Sequence, residues 1–205
     1  MVLPYYSTSR AKTLFENEKK PALSRRLCLQ SGTSKNDVLI NHMNRFFANL
    51  DGLIDHDEVI SMHQYIQHGK ISCLSHSLYV AYSSFRACEI LKLDARSAAR
   101  GAMLHDFFLY DWHVPGYSEG LHGFSHPRVA HQNAKKHFTL NAIEEEIILK
   151  HMFPLTLSPP KKREAIVVTL VDKWCTVRET LHLENRKICD LTLKIALSKS
   201  DKFDA

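Results

Sequence analysis

Residues 101–108 read Gly-Ala-Met-Leu-His-Asp-Phe-Phe, and the doublet at their centre, His105 and Asp106, decides how the rest of the chain is read. Four further groups able to bind a metal flank it: His76, His126, His151 and Asp172. His76 precedes the doublet by 29 residues, and the later steps are 20 residues from Asp106 to His126, 25 to His151 and 21 to Asp172. Each step has room for one helix of about 10 to 14 residues plus its connection. Successive helices of an all-α domain, a compact helical bundle, could therefore each deliver one ligand to a common interior point. Imidazole nitrogen and carboxylate oxygen suit zinc, iron, manganese and similar divalent ions, and one carboxylate has an oxygen for each of two ions.

Working outward, Asp94 is a good cap for the helix that carries the doublet, and Ala95, Ala98, Ala99, Gly101 and Ala102 let neighbouring helices approach it. Upstream, Leu74, Leu78, Val80, Ala81, Phe85, Cys88 and Leu91 describe a long core helix over 73–91 with His76 in its first turn. Downstream, residues 107–124 are aromatic and glycine-containing, too broken for a regular helix. They read as a loop that covers the site or packs on the core. The next helix begins near Ser125 or His126, with Pro127 in its first turn, and Asn141 with Glu144 forms a capping box for one that runs to Met152 and carries His151.

Residues 165–175 are apolar on nearly every side and read as a buried helix, their β-branched content leaving a strand open. Asp172 lies inside that run. A buried carboxylate needs a basic partner, a proton or a cation, and Lys173 projects about 100° away on a helix. Nearer the N-terminus, a helix over 37–49 has Val38, Leu39, Met43, Phe46 and Phe47 on one side, and a second lies near 57–67. The divisions expected are a polar extension over 1–36, a helical domain over 37–190 and a C-terminal segment over 191–205.

Composition agrees. Hydrophobic residues at 44% and charged residues at 24% are ordinary globular values, and seven glycines with seven prolines favour helices over many tight hairpins. The formal charge of +5 would help attract an anionic ligand, but no concentrated Lys/Arg block argues for nucleic acid. Five dispersed cysteines without a C-x-x-C pair read as free thiols in a reducing compartment. No uncharged apolar run of about 18 residues exists, and residues 1–20 lack a secretory core. A cytoplasmic protein with no membrane partner is the expectation.

The order His76, His105-Asp106, Asp172 resembles the HD-domain metal-dependent phosphohydrolases, whose pattern is a His, a His-Asp doublet and a distant Asp. His126 in His-Pro-Arg and His151 in His-Met-Phe-Pro-Leu make the chain similar to the binuclear branch, which includes cyclic-di-GMP phosphodiesterases and di-iron oxygenases. The resemblance covers about residues 65–182. It implies an HD-domain-like helical bundle and two divalent ions, drawn from Mn, Fe, Zn or Mg. One ion would take His76, His105, Asp106 and Asp172, the other Asp106, His126 and His151, with Asp106 bridging. The activity implied is hydrolysis of a phosphomonoester or phosphodiester, nucleotides included, through a metal-activated water. Its partner would be a small anionic phosphorylated substrate.

In that scheme Asp106 and Lys173 are catalytic, and Lys173, Arg128 and Lys135 could bind phosphate oxygens. His122, four residues before His126, could hold the substrate or take the place of His126. The Gly-Tyr-Pro motif of the cyclic-di-GMP enzymes is missing, which argues against that substrate. Two other readings keep the six ligands: a di-iron oxygenase in which dioxygen replaces water, and a non-catalytic ligand-binding or regulatory module. His56, His63, His68, His131, His137 and His182 have no place in the pattern and read as surface or packing residues. His113, beside Trp112, is a candidate supporting residue.

Overall fold

Charge pattern explains which helix lies at the centre of the helical domain. From Cys73 to Phe85 there is no Asp, Glu, Lys or Arg, and the helix containing that run is buried on most of its circumference. The structure, a computed structural model, describes residues 35–50, 52–114 and 121–200. The expected extension up to residue 34, the middle of the aromatic loop at 115–120 and residues 201–205 lie outside the described residues.

Helix α1 spans Lys35–Asn49 and turns Met43, Phe46 and Phe47 inward, followed by Leu50, whereas Val38 is exposed. Helix α2, Asp57–Ser61, is short and runs into a 3-10 turn over Met62–Gln64. The helix expected to continue to residue 67 is replaced by a hairpin of β1, Ile66–His68, and β2, Ile71–Ser72, with Ile66 opposite Ser72. Gly69 adopts a positive φ of 57° in its turn, a conformation that glycine reaches at little cost and that breaks a helix. Ser72 then caps α3, Cys73–Leu91, by accepting from the Ser75 N–H, and Lys92 in the left-handed region ends it.

Asp94 caps α4, Ala95–Leu104, as expected. Helix α5 spans His122–His137 and begins a turn before the expected start, leaving Pro127 as its sixth residue rather than in the first turn. His122, in its first turn, meets Tyr110 and Trp112. The Asn141–Glu144 capping box opens α6, Ala142–Lys150. Residues 165–175 lie within α7, Arg163–Thr180, which excludes the strand. Helix α8, Arg186–Ser200, runs unbroken across the expected segment boundary at 190/191.

Among the described residues the fold is all-α apart from the small hairpin. Helix α3 packs against α4, α7 and α8, and α6 lies against α4, α5 and α7. Phe46 meets Tyr82 and Phe85 at ring separations of 5.4 and 5.8 Å, tying α1 to α3. Burying each such ring contributes roughly 1.5–3 kcal/mol. Among the described residues, no helix is long and apolar enough to cross a membrane.

Candidate metal centre

One close helix crossing sets the position of the doublet. A Cβ on Gly101 would lie 2.7 Å from Ile147 Cδ1, so α4 and α6 approach there only because residue 101 lacks a side chain. His105 follows Gly101 by four residues and His151 follows Ile147 by four, so the same faces meet one turn on. The two imidazoles, at the C-caps of α4 and α6, stand 4.8 Å apart edge to face. Asn133 of α5 donates to the carbonyls of Phe107 and Phe108, fastening the chain just beyond Asp106.

Around this crossing His76 from α3, His126 from α5 and Asp172 from α7 complete the expected set, and none of the six is more than 7% exposed. Asp106 divides its oxygens. Oδ2 lies 3.1 Å from His105 Nε2 and 3.9 Å from His76 Nε2. Oδ1 lies 3.2 Å from His126 Nε2 and 3.6 Å from His151 Nε2. Asp172 Oδ1 joins the first group, 3.1 Å from His76 Nε2 and 3.6 Å from His105 Nε2. His76, His105 and Asp106 form one group close enough to hold an ion, and Asp106, His126 and His151 another.

The outer ring nitrogens fix which inner atoms are free. Nδ1 of His105 donates to the Ala102 carbonyl at 2.6 Å, that of His126 to the His122 carbonyl at 2.8 Å and that of His151 to the Ile148 carbonyl at 2.9 Å. A carbonyl only accepts, so each Nδ1 carries a proton, and Nε2 is the atom each ring turns toward the centre, bearing a lone pair whenever the ring is neutral. His126 Nε2 and His151 Nε2 are 2.9 Å apart, a contact that needs either a proton shared between them or a cation near both, since two lone pairs would repel. His105 Nε2 and Asp106 Oδ1 are buried without a hydrogen-bond partner among the described residues. Orphaned donor atoms of this chemistry fit a divalent ion.

The electrostatics point the same way. Burial would lower the affinity of His76 for a proton, but hydrogen bonds to Asp172 and Glu179 outweigh it and push its pKa up to about 9. For His105 the charge of Asp106 likewise overcomes burial. Burial would raise both aspartates, yet His105 beside Asp106, and His105 with His76 beside Asp172, hold them well below the usual carboxylate range. His151 goes the other way, down to about 3, through burial and the charge on His105. The centre thus draws positive charge most strongly toward its carboxylate-rich half.

Two supports were invisible in the sequence reading. Gln67, brought by the hairpin, donates to Asp106 Oδ2 at 2.7 Å while its carbonyl accepts from the Cys73 thiol at 3.1 Å. Burial raises the Cys73 pKa, which keeps that thiol protonated and able to donate. Glu179, buried in the last turn of α7, accepts from His76 Nδ1 at 2.7 Å and from His68 Nε2 at 3.0 Å. His68 is therefore no mere surface group. The available signal for Glu179 is its spacing, seven residues after Asp172 and so on the same helix face.

The expected substrate-binding residues divide. Lys173 Nζ donates to the His151 carbonyl at 2.7 Å and sits 3.8 Å from Asp172 Oδ2, at the edge of the centre. Arg128 and Lys135 are exposed, and they lie about 200° and 180° around α5 from His126, on its opposite face. Lys135 pairs there with Glu145 at 3.3 Å. The structure does not bring those two to the centre. His122 stacks on His126 at 4.6 Å and under Trp112 at 4.9 Å, and its Nδ1 meets the Tyr110 hydroxyl at 2.9 Å. It supports His126 without displacing it. His113 stacks on Trp112 and bonds Asp111, away from the ligands.

No protein family, curated protein or solved structure matches this chain. The buried His/Asp clusters could hold metal ions, an arrangement compatible with an HD-type site.

Proposed function

We propose that the protein is an HD-type metal-dependent phosphohydrolase that uses two divalent ions to cleave a phosphomonoester or phosphodiester, with nucleotides the first candidates. The observation that carries this reading is the division of Asp106, one oxygen toward His76 and His105 and the other toward His126 and His151. A carboxylate so placed can bridge two cations. Such a pair supplies Lewis acidity toward phosphate oxygens and a water of lowered pKa. The protein's own part is placement. Asp172 adds charge to one half, Gln67 holds the plane of Asp106, and Lys173 offers an ammonium at the edge, tethered through His151. A tethered ammonium there suits a phosphate oxygen.

The test is elemental analysis of wild-type protein and Asp106→Ala, followed by phosphate release from nucleotides and p-nitrophenol release from bis(p-nitrophenyl) phosphate with each metal restored. About two ions per chain, lost in the variant together with metal-dependent hydrolysis, support the proposal. Iron with substrate-dependent oxygen uptake and no hydrolysis of either substrate would move the assignment to the oxygenase reading. No metal after reconstitution would overturn both.

A further inference from the structure

Three of the four histidines have their outer nitrogen fixed by a backbone carbonyl on the local helix turn. His76 does not. It lies in the first turn of α3, and its Nδ1 is met by a carboxylate from another helix. We infer that Glu179, steadied by His68, is the positioning carboxylate for His76 and sets the affinity of the carboxylate-rich half of the centre for its ion. This rests on the reading of the centre as a metal site.

The geometry is specific. Both imidazoles converge on one oxygen, Glu179 Oε2, His76 at 2.7 Å and His68 at 3.0 Å. Spaced by seven residues on α7, Asp172 and Glu179 address the two nitrogens of one ring, Nε2 at 3.1 Å and Nδ1 at 2.7 Å, and hold it from both edges. A carboxylate behind an imidazole fixes its tautomer and strengthens the other nitrogen as a donor, and losing such a partner typically costs about 10–100-fold in metal affinity. His68, His76 and Glu179 are also close enough to hold an ion themselves. The 2.7 Å hydrogen bond between His76 and Glu179 assigns them instead to support.

Glu179 is itself buried but borders open space. A cleft of about 630 Å³ is lined by His68, Gly69, Lys70, Glu179 and His182. A small carboxylate entering it could take the place of a truncated Glu179 side chain, a response that lost packing alone would not give.

The experiment is a cobalt(II) titration followed by visible absorption, on wild-type protein and on Glu179→Ala, Glu179→Gln and His68→Ala. In the wild type two ions bind stepwise. Glu179→Ala weakens the first by about 10–100-fold and alters its ligand-field bands, leaves the second within about threefold, and regains much of the loss when acetate is added. Glu179→Gln, which keeps the volume but not the charge, falls between. Should Glu179→Ala fail to fold, the Gln variant and His68→Ala, at the cleft wall, carry the test through a smaller loss confined to the first ion. An unchanged first affinity and spectrum would overturn the inference while leaving the metal centre standing. So would an equal loss of both ions without an acetate response, or a third cobalt per wild-type chain. A wild type that binds no cobalt, zinc or iron would overturn the metal centre and the inference together.

Discussion

The two halves of the centre share Asp106 yet are braced in different ways. The half with His76 and His105 adds Asp172 to Asp106 and is backed by Glu179, so carboxylates surround its imidazoles. The half with His126 and His151 has only one oxygen of the shared Asp106, and backbone carbonyls brace both its rings. Formal charge on the ligands is what attracts a cation into a buried site, where an uncompensated charge is expensive. The first half should therefore bind first and bind tighter, and the second should follow once Asp106 is oriented.

The largest effect expected is from removing the shared group. Asp106→Ala should lose both ions and bring hydrolysis to background, since the second half would keep only two imidazoles and the first two imidazoles with a single aspartate. Elemental analysis of the purified variant checks it. Two full sites remaining would break the idea that one carboxylate joins the halves.

Next come substitutions that separate the halves. Asp172→Asn should weaken the first ion at least about tenfold, as loss of a charged ligand is worth more than a supporting bond, while His151→Ala should weaken the second alone. Calorimetric titration with zinc distinguishes the outcomes, and equal losses of both ions in either variant would show the halves to be one cooperative unit. Position on the chain gives no hint of this partition. His126 and His151 could be weighed beforehand only as members of an ordered pattern.

Asp172 was legible because chemistry made it conspicuous, a carboxylate in an apolar run. Glu179 was not, because Arg178-Glu179-Thr180 at a helix end looks like any solvated terminus. Only the seven-residue spacing from Asp172 connects it to the site. Gln67 was hidden by reading residues 57–67 as helix, although Gly69 between Ile66-Gln-His and Lys-Ile-Ser is a hairpin signal. The capping box and the helix containing Asp172 depend on local residues and so could be read directly. Arg128 and Lys135 have the donor chemistry a phosphate needs, but the 100° step per residue turns them away from His126.

A smaller effect should come at the seam between the halves. Gly101→Ala places a methyl against Ile147, at 2.7 Å from Cδ1 and 3.0 Å from Cβ, and the helices must part to admit it. Overpacking of this kind costs about 1–3 kcal/mol, measurable as a lower midpoint in urea unfolding. Because His105 and His151 ride on the same two helices one turn on, zinc affinity should fall in both halves together. A variant as stable as wild type would show that the crossing has slack.

The smallest expected effect concerns the weaker half and its neighbour His122. Burial, then the charge on His126, lowers the pKa of His122 to about 4, against about 6.5 in an unfolded chain. Between those values the unfolded state binds more protons, so stability rises with pH and is lost as pH falls from about 6.5 toward 4. The ring is partly exposed, so solvent screening leaves a contribution of about 1 kcal/mol at most. His122→Gln removes this titration and should flatten the slope of metal-free stability over that window, read from urea midpoints at successive pH values. If the slope is unchanged, His122 titrates as it would in the unfolded chain, and the stack of Trp112, His122 and His126 does not exclude a proton from the weaker half.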